Sequence, residues 1–215
     1  MGNIFRWDSP VVQKIAMAGN LVILNILWIL CSLPIITAGA ATTALYYVIF
    51  QYQTAEETAV IKPFFRAFVK NFKHSTLLWI PSLIIMAILV LDVRYMFAYG
   101  TSTLVGIVIF VVCAVFLMVQ AHLLPQLARF ETKLKNVIQN GVLLTILHMP
   151  SSLMMAVLNV LPIVIVLLFP LQFMRWLLLW VGLWFSLAAY LNGRMLLKIW
   201  AKHMSQEEAA TNEEP

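Results

Sequence analysis

From Ile15 to Ala55 the chain carries no charged side chain. About 20 apolar residues suffice to cross the roughly 30 Å of hydrocarbon in a bilayer, so a run about twice that long overshoots the membrane if it forms one straight helix. In its middle stands Cys31-Ser32-Leu33-Pro34-Ile35-Ile36-Thr37-Ala38-Gly39, where Pro34 removes a backbone donor and Gly39 loosens a helix. A turn there divides the run into helices over about 16–33 and 38–54, a hairpin broken near Pro34–Gly39. Four further apolar runs follow, Leu77–Val93, Thr103–Leu124, Ser151–Phe169 and Trp176–Leu197. The expected fold is all-α, a polytopic membrane bundle of about six transmembrane helices with basic amphipathic interfacial helices beside them.

Composition supports that class. Hydrophobic residues make up 62% of the 215 and charged ones 11%, whereas soluble domains run near half apolar and a quarter charged. Cys31 and Cys113 lie inside apolar runs without CxxC spacing and read as small hydrophobes. The loops are too short for a soluble domain, so residues 1–204 form one integral membrane domain and 205–215 an acidic disordered tail. The first run is too long for a signal-peptide core, lacks a small-residue cleavage site and is expected to be retained. Arg6 occupies the position where myristoylation prefers Ser or Thr.

Charge sets the topology, because short cytoplasmic loops collect Lys and Arg. Six crossings with the N-terminus inside put twelve of the fourteen cations on the cytoplasmic side and leave Arg94 and Arg175 outside. Five crossings reduce the split to ten against four. A multi-pass protein with both termini cytoplasmic is expected, although residues 38–54 give the same loop pattern whether they span or re-enter.

Two segments join aromatic and cationic residues. Phe64, Phe68 and Phe72 recur every four positions, with Lys62, Arg66, Lys70 and Lys73 out of phase with them. Such a helix is expected in the headgroup plane, against anionic lipid or a partner protein. Leu127, Phe130, Leu134, Val137 and Ile138, beside Arg129, Lys133 and Lys135, repeat the plan. Lys70-Asn71, Leu77-Leu78 and Pro81-Ser82-Leu83 echo in Lys135-Asn136, Leu143-Leu144 and Pro150-Ser151-Ser152-Leu153, which hints at duplicated halves.

Acid–base chemistry has few bearers. Asp92 and Glu131 are the only carboxylates between Glu57 and the tail, and Asp8 precedes the membrane segments. Asp92 and Arg94 flank the outer end of the third run, where they reach the interface. No HExxH, GxSxG or P-loop occurs. His74, His122, His148 and His203 fall near expected helix ends without the i, i+4 spacing of a metal pair. The expectation is a protein without catalytic residues, metal or cofactor. Neutral polar groups remain inside the membrane: Asn20, Asn25, Thr37, Thr42, Thr43 and Asn159, with Asn192 late in the sixth run. They either pack helices together or line a site for a neutral solute next to a broken helix. Gly39 and Thr43, with Ala40 and Ala44, form a small-xxx-small ridge for close helix contact.

The run Gly19-Asn20-Leu21, Leu24-Asn25-Ile26-Leu27-Trp28, Cys31-Ser32-Leu33-Pro34 and Thr37 through Tyr47, then Phe64-Phe65-Arg66-Ala67-Phe68 and Asn71-Phe72-Lys73, resembles the YesL-like family of bacterial membrane proteins, a family of unknown function. The likeness covers roughly residues 3–80 and continues to Leu147-His148-Met149-Pro150. The family is commonly encoded beside carbohydrate-uptake and sensor-kinase genes. The resemblance therefore implies a plasma-membrane accessory or regulatory component of carbohydrate uptake or sensing, with a carbohydrate ABC importer or a sensor kinase as partner. A small transporter for a neutral solute such as a sugar or oligosaccharide is the alternative. The family supplies no site residues, and the net charge of +5 is explained by topology and anionic lipid without nucleic acid.

Overall fold

The computed structural model describes residues 10–54, 59–100, 102–130 and 132–213. Arg6, Asp8, Glu57 and Glu131 lie outside the described residues, as do the side chains of Lys14 and of residues 204–213. The described chain is helical: α1 (Pro10–Ser32), a 3-10 turn (Ile35–Thr37), α2 (Ala38–Gln53), α3 (Ile61–Tyr99), α4 (Thr103–Arg129), α5 (Leu134–Leu147) and α6 (Met149–Leu168), then α7 (Pro170–Arg175), α8 (Leu177–Leu179), a π-helical turn (Trp180–Trp184) and α9 (Phe185–Glu213). Among the described residues five segments are long and apolar enough to cross a membrane: Ile15–Ser32, Ile35–Gln53, Ile61–Tyr99, Thr103–Arg129 and Met149–Leu168. This is the architecture of a multi-pass membrane protein.

The hairpin breaks where expected, and Thr37 seals the turn, its hydroxyl donating to Cys31 O at 2.6 Å and Pro34 O at 2.7 Å. Beyond it α2 forms the centre of the bundle. Gly39, Ala40, Ala41, Thr43 and Ala44 are all buried, and these short side chains let α1, α3, α4 and α9 pack against one helix. Its lower turns carry the larger core residues Leu45, Ile49 and Phe50, packed with Phe64, Met155, Leu196 and Trp200.

Three sequence expectations need correction. The aromatic and cationic segment from Ile61 to Lys73 is no separate interfacial helix: it is the first third of the 39-residue α3. Nothing from His74 to Thr76 breaks a helix, and Phe64 and Ala67 are buried against the core, which holds the segment upright. Phe72, by contrast, is exposed. The proposed duplication is not mirrored either, since Lys70 runs unbroken into its span whereas α5 ends at Leu147 and His148 separates it from α6. The sixth apolar run, Trp176–Leu197, is helical without a break from Leu177 onward, through α8, the π turn and the start of α9, although it is not among the five segments. α9 then continues to Glu213, so residues 205–213 are helical; Gln206-Glu207-Glu208-Ala209-Ala210 are good helix formers added to a helix already nucleated.

At 1.5 Å per residue α3 is about 58 Å long, nearly twice the hydrocarbon thickness. The hairpin accompanies only its first half. Ser75 Oγ donates to Thr43 Oγ1 at 2.9 Å and Trp79 Nε1 to Ile35 O at 2.8 Å, so α2 runs antiparallel to α3 and the turn meets it at Trp79. Leu33, Ile35 and Ile36 at that turn are 71%, 66% and 56% exposed. Past Trp79, α3 and the first half of α4 carry exposed apolar residues such as Ile88, Leu91, Ile107 and Phe110, a surface suited to lipid.

Candidate functional site

The candidate site is a cavity of about 320 Å³ inside the bundle, within the common size range of ligand pockets. Trp28, Tyr46, Trp79, Trp184 and Phe185 supply aromatic walls, and Thr42, Gln120 and Asn159 the neutral polar side chains. Trp28 is held in two ways: its indole N–H donates to Thr42 Oγ1 at 3.0 Å, and its ring stacks on Phe185 with centroids 4.4 Å apart. Thr42 passes its own proton to Ala38 O at 2.8 Å. Opposite, Asn192 Nδ2 donates to Tyr46 Oη at 3.2 Å and to Asn159 Oδ1 at 3.0 Å, joining α2, α6 and α9. Two buried polar atoms have no partner: Nε1 of the lining residue Trp184, a donor, and, behind Tyr46 and Asn159, Oδ1 of Asn192, an acceptor. Pro125 and Pro162 withdraw N–H groups from the helical ladders, so Ala121 and Leu158, both cavity residues, lose the usual partner of their carbonyls.

The π turn shapes this wall. Val181 O and Ser186 N are five residues apart, and the amide of Asn25 occupies both: Nδ2 donates to Val181 O, and Oδ1 accepts from Ser186 N at 2.9 Å. A side chain inserted into the ladder is a recognised cause of such an irregularity. It brings the neighbours Trp184 and Phe185 both to the cavity.

The six polar residues singled out from sequence therefore separate. Thr42 and Asn159 line the cavity. Asn25 is fully buried as a clip between helices, and Thr43 is buried between Ser75 and Gly39 O. Thr37 closes its own turn, and half-buried Asn20 faces a small crevice with Tyr52 and Tyr190. Gln120, Tyr46 and Trp184 were not among the sequence candidates, because nothing in their spacing distinguishes a cavity wall from a packed interface. Lys62, Arg66, Lys70 and Lys73 form one exposed stripe along the first turns of α3. Arg129, Lys133 and Lys135 are exposed too but divided, the first ending α4 and the others flanking the start of α5.

The histidines meet across the chain in a way that local spacing does not reveal. His148 and His203 bring their Nε2 atoms to 2.9 Å. His122 is fully buried, with Nε2 2.8 Å from Ser152 Oγ. Ser152 donates its proton to His148 O at 3.0 Å, so its oxygen accepts and His122 carries the Nε2 proton. Among the described residues no three His, Cys, Asp or Glu side chains gather as a metal site. Burial, then the neighbouring His203 and Lys202, push the His148 imidazole below its ordinary range. Between that lowered value and the usual value of about 6.5 the unfolded chain binds more protons than the folded one, so stability present above about 6.5 is lost as pH falls. Thermal unfolding in detergent is expected to occur at lower temperature at pH 5.5 than at pH 7.5, about two pH units apart and spanning the imidazole range. His148→Gln is expected to flatten that dependence.

The fold and this cavity define a class: an all-α, multi-pass membrane-type bundle with a neutral, aromatic-walled internal site. A family model described as "Protein of unknown function, DUF624" matches residues 21–93, which takes in most of α1, all of α2 and most of α3. No curated protein and no solved structure matches the chain.

Proposed function

We propose that this is a non-enzymatic plasma-membrane protein that holds a neutral solute in the cavity and serves a carbohydrate importer or its sensor kinase. The observation that carries the binding reading is the pairing of aromatic walls with Thr42, Gln120, Asn159 and the unpartnered Trp184 N–H. Aromatic faces and neutral donors suit a solute with both apolar faces and hydroxyl or carbonyl groups. The carbohydrate context rests on the resemblance to the YesL-like family, and the exposed stripe of Lys62, Arg66, Lys70 and Lys73 supplies a face for a partner or for anionic lipid. The test is calorimetric titration of the protein in nanodiscs with glucose and maltose. Saturable binding that weakens at least about ten-fold in Trp184→Phe and Asn159→Ala supports the site, ten-fold being the loss of about one hydrogen bond; unaltered affinity in both variants, or no binding, refutes it. Co-purification of importer subunits or a kinase from the native host, lost when the four cations become Gln, is the outcome expected of the docking face.

Direct transport of the solute is the second reading, favoured by the irregular helix at the cavity: interrupted helices build the solute sites of many transporters. Uptake of labelled maltose into proteoliposomes would establish it, and a flat time course would remove it.

Both termini belong on the cytoplasmic side with the cationic stripe. Because the hairpin turn meets α3 only at Trp79 and exposes Leu33, Ile35 and Ile36, the hairpin enters from that side and turns within the lipid. In a background with Cys31 and Cys113 replaced by Ser, Ile36→Cys is expected to resist an impermeant thiol reagent from either side, while Tyr99→Cys labels from outside. Labelling of Ile36→Cys from outside would restore a full crossing.

A further inference from the structure

A second cavity, of about 330 Å³, lies at the end of the bundle where α4 stops and α9 carries His203. It is separate from the aromatic cavity and shares no lining residue with it. Its walls hold two N–H donors without partners: the side-chain amide of Gln126 and the indole of Trp200, residues 3% and 6% exposed. Leaving a buried donor unmade is costly, and two beside one cavity are a specific feature. Asn140 and His203 also line it, while Leu143 and Leu147 of α5 give an apolar side. No carboxylate lines it among the described residues. The end of α4, the start of α5 and the middle of α9 carry Arg129, Lys133, Lys198 and Lys202, against the one carboxylate of Glu131 in the sequence between α4 and α5, so the balance of charge there favours an anion.

We infer that this cavity binds a small amphipathic oxyanion of the phosphate type, its oxygens accepting from Gln126 and Trp200 and its carbon body resting on Leu143 and Leu147. Charge-assisted bonds to an oxyanion satisfy both donors more strongly than a neutral acceptor does. His203, which lines the cavity, also reaches His148 at the joint between α5 and α6, so the ligand lies near that joint. The phosphate has two possible sources, a lipid headgroup or a soluble phosphate ester.

The test uses the full-length protein in phosphatidylcholine nanodiscs, titrated calorimetrically with phenyl phosphate and, separately, with phenol. Phenyl phosphate is expected to bind saturably at one site and phenol at least ten-fold more weakly, a difference of about 1.4 kcal/mol. Gln126→Leu keeps the volume and Trp200→Phe keeps an aromatic ring in place while each removes one donor; both are expected to weaken phenyl phosphate about ten-fold, Gln126→Leu with thermal unfolding little changed and Trp200→Phe with some loss of stability because the smaller ring leaves space in the core. Trp184→Phe, in the other cavity, is expected to leave this binding alone and so separates the two sites. Loss of phenyl phosphate binding in phosphatidic acid nanodiscs assigns the site to a lipid headgroup, and binding that persists there assigns it to a soluble ester. Equal affinity for phenol, wild-type affinity in both donor variants, or no saturable binding overturns the inference.

Discussion

Gly39→Ala is expected to lower the stability of the bundle by about 2–3 kcal/mol, near the upper end for forcing a methyl group into packed space. A Cβ at Gly39 would stand 2.5 Å from Trp79 Cβ and 3.2 Å from Ser75 O. Neither atom is the far end of a flexible chain, so relief requires α2 and α3 to move apart. That movement strains the Ser75–Thr43 and Trp79–Ile35 hydrogen bonds, which fix the two helices in register. Gly19 provides the control, since a Cβ there meets nothing within 4 Å. On helix propensity alone Gly19→Ala should stabilise by up to about 1 kcal/mol. Thermal unfolding in mild detergent should therefore shift in opposite directions for the two variants. Shifts of the same sign would show that the close approach of α2 to α3 contributes nothing.

Gly39 also shows what the sequence makes legible. Its small neighbours Ala40, Thr43 and Ala44 announce a close helix contact, and the pair Pro34 and Gly39 announces the turn, because both signals are local. The helical class, the hairpin and the positions of three further long apolar helices follow from runs of side chains that water rejects. Where one helix stops and another begins is less legible. The cationic segment before Leu77 has the pattern of a surface helix, yet burial of Phe64 and Ala67 against α2 joins it to the span. The cavity was only partly legible. Thr42 and Asn159 stood out because polar atoms in a membrane are costly, whereas Tyr46, Trp79 and Gln120 acquire their meaning from helices distant in the chain. The same holds for His148 and His203, 55 residues apart in sequence and 2.9 Å apart in space.

Asn25→Leu tests the most specific of these long-range arrangements. The substitution keeps the side chain close in size and removes both hydrogen bonds that Asn25 makes to the π turn. Val181 O and Ser186 N are then left facing an apolar group, and each buried backbone group without a partner costs about 1–3 kcal/mol. A loss of about 3 kcal/mol is expected, several times the average for a single interhelical hydrogen bond in a membrane protein. A π turn accommodates one residue more than the α-helix it interrupts. Deleting Gly182, whose Cα meets no neighbour that a side chain would touch, should let the ladder close on itself without help from α1. In that shortened background Asn25→Leu should cost little, because no orphaned pair remains for the amide to satisfy. The deletion also turns Trp184 and Phe185 relative to Trp28, so it should abolish the 4.4 Å stacking of Trp28 on Phe185 and any solute binding that depends on this wall. A full loss of stability from Asn25→Leu in both backgrounds would mean that Asn25 acts by filling space. A loss confined to the full-length turn would mean that α1 holds the irregular helix open and, through it, one wall of the cavity.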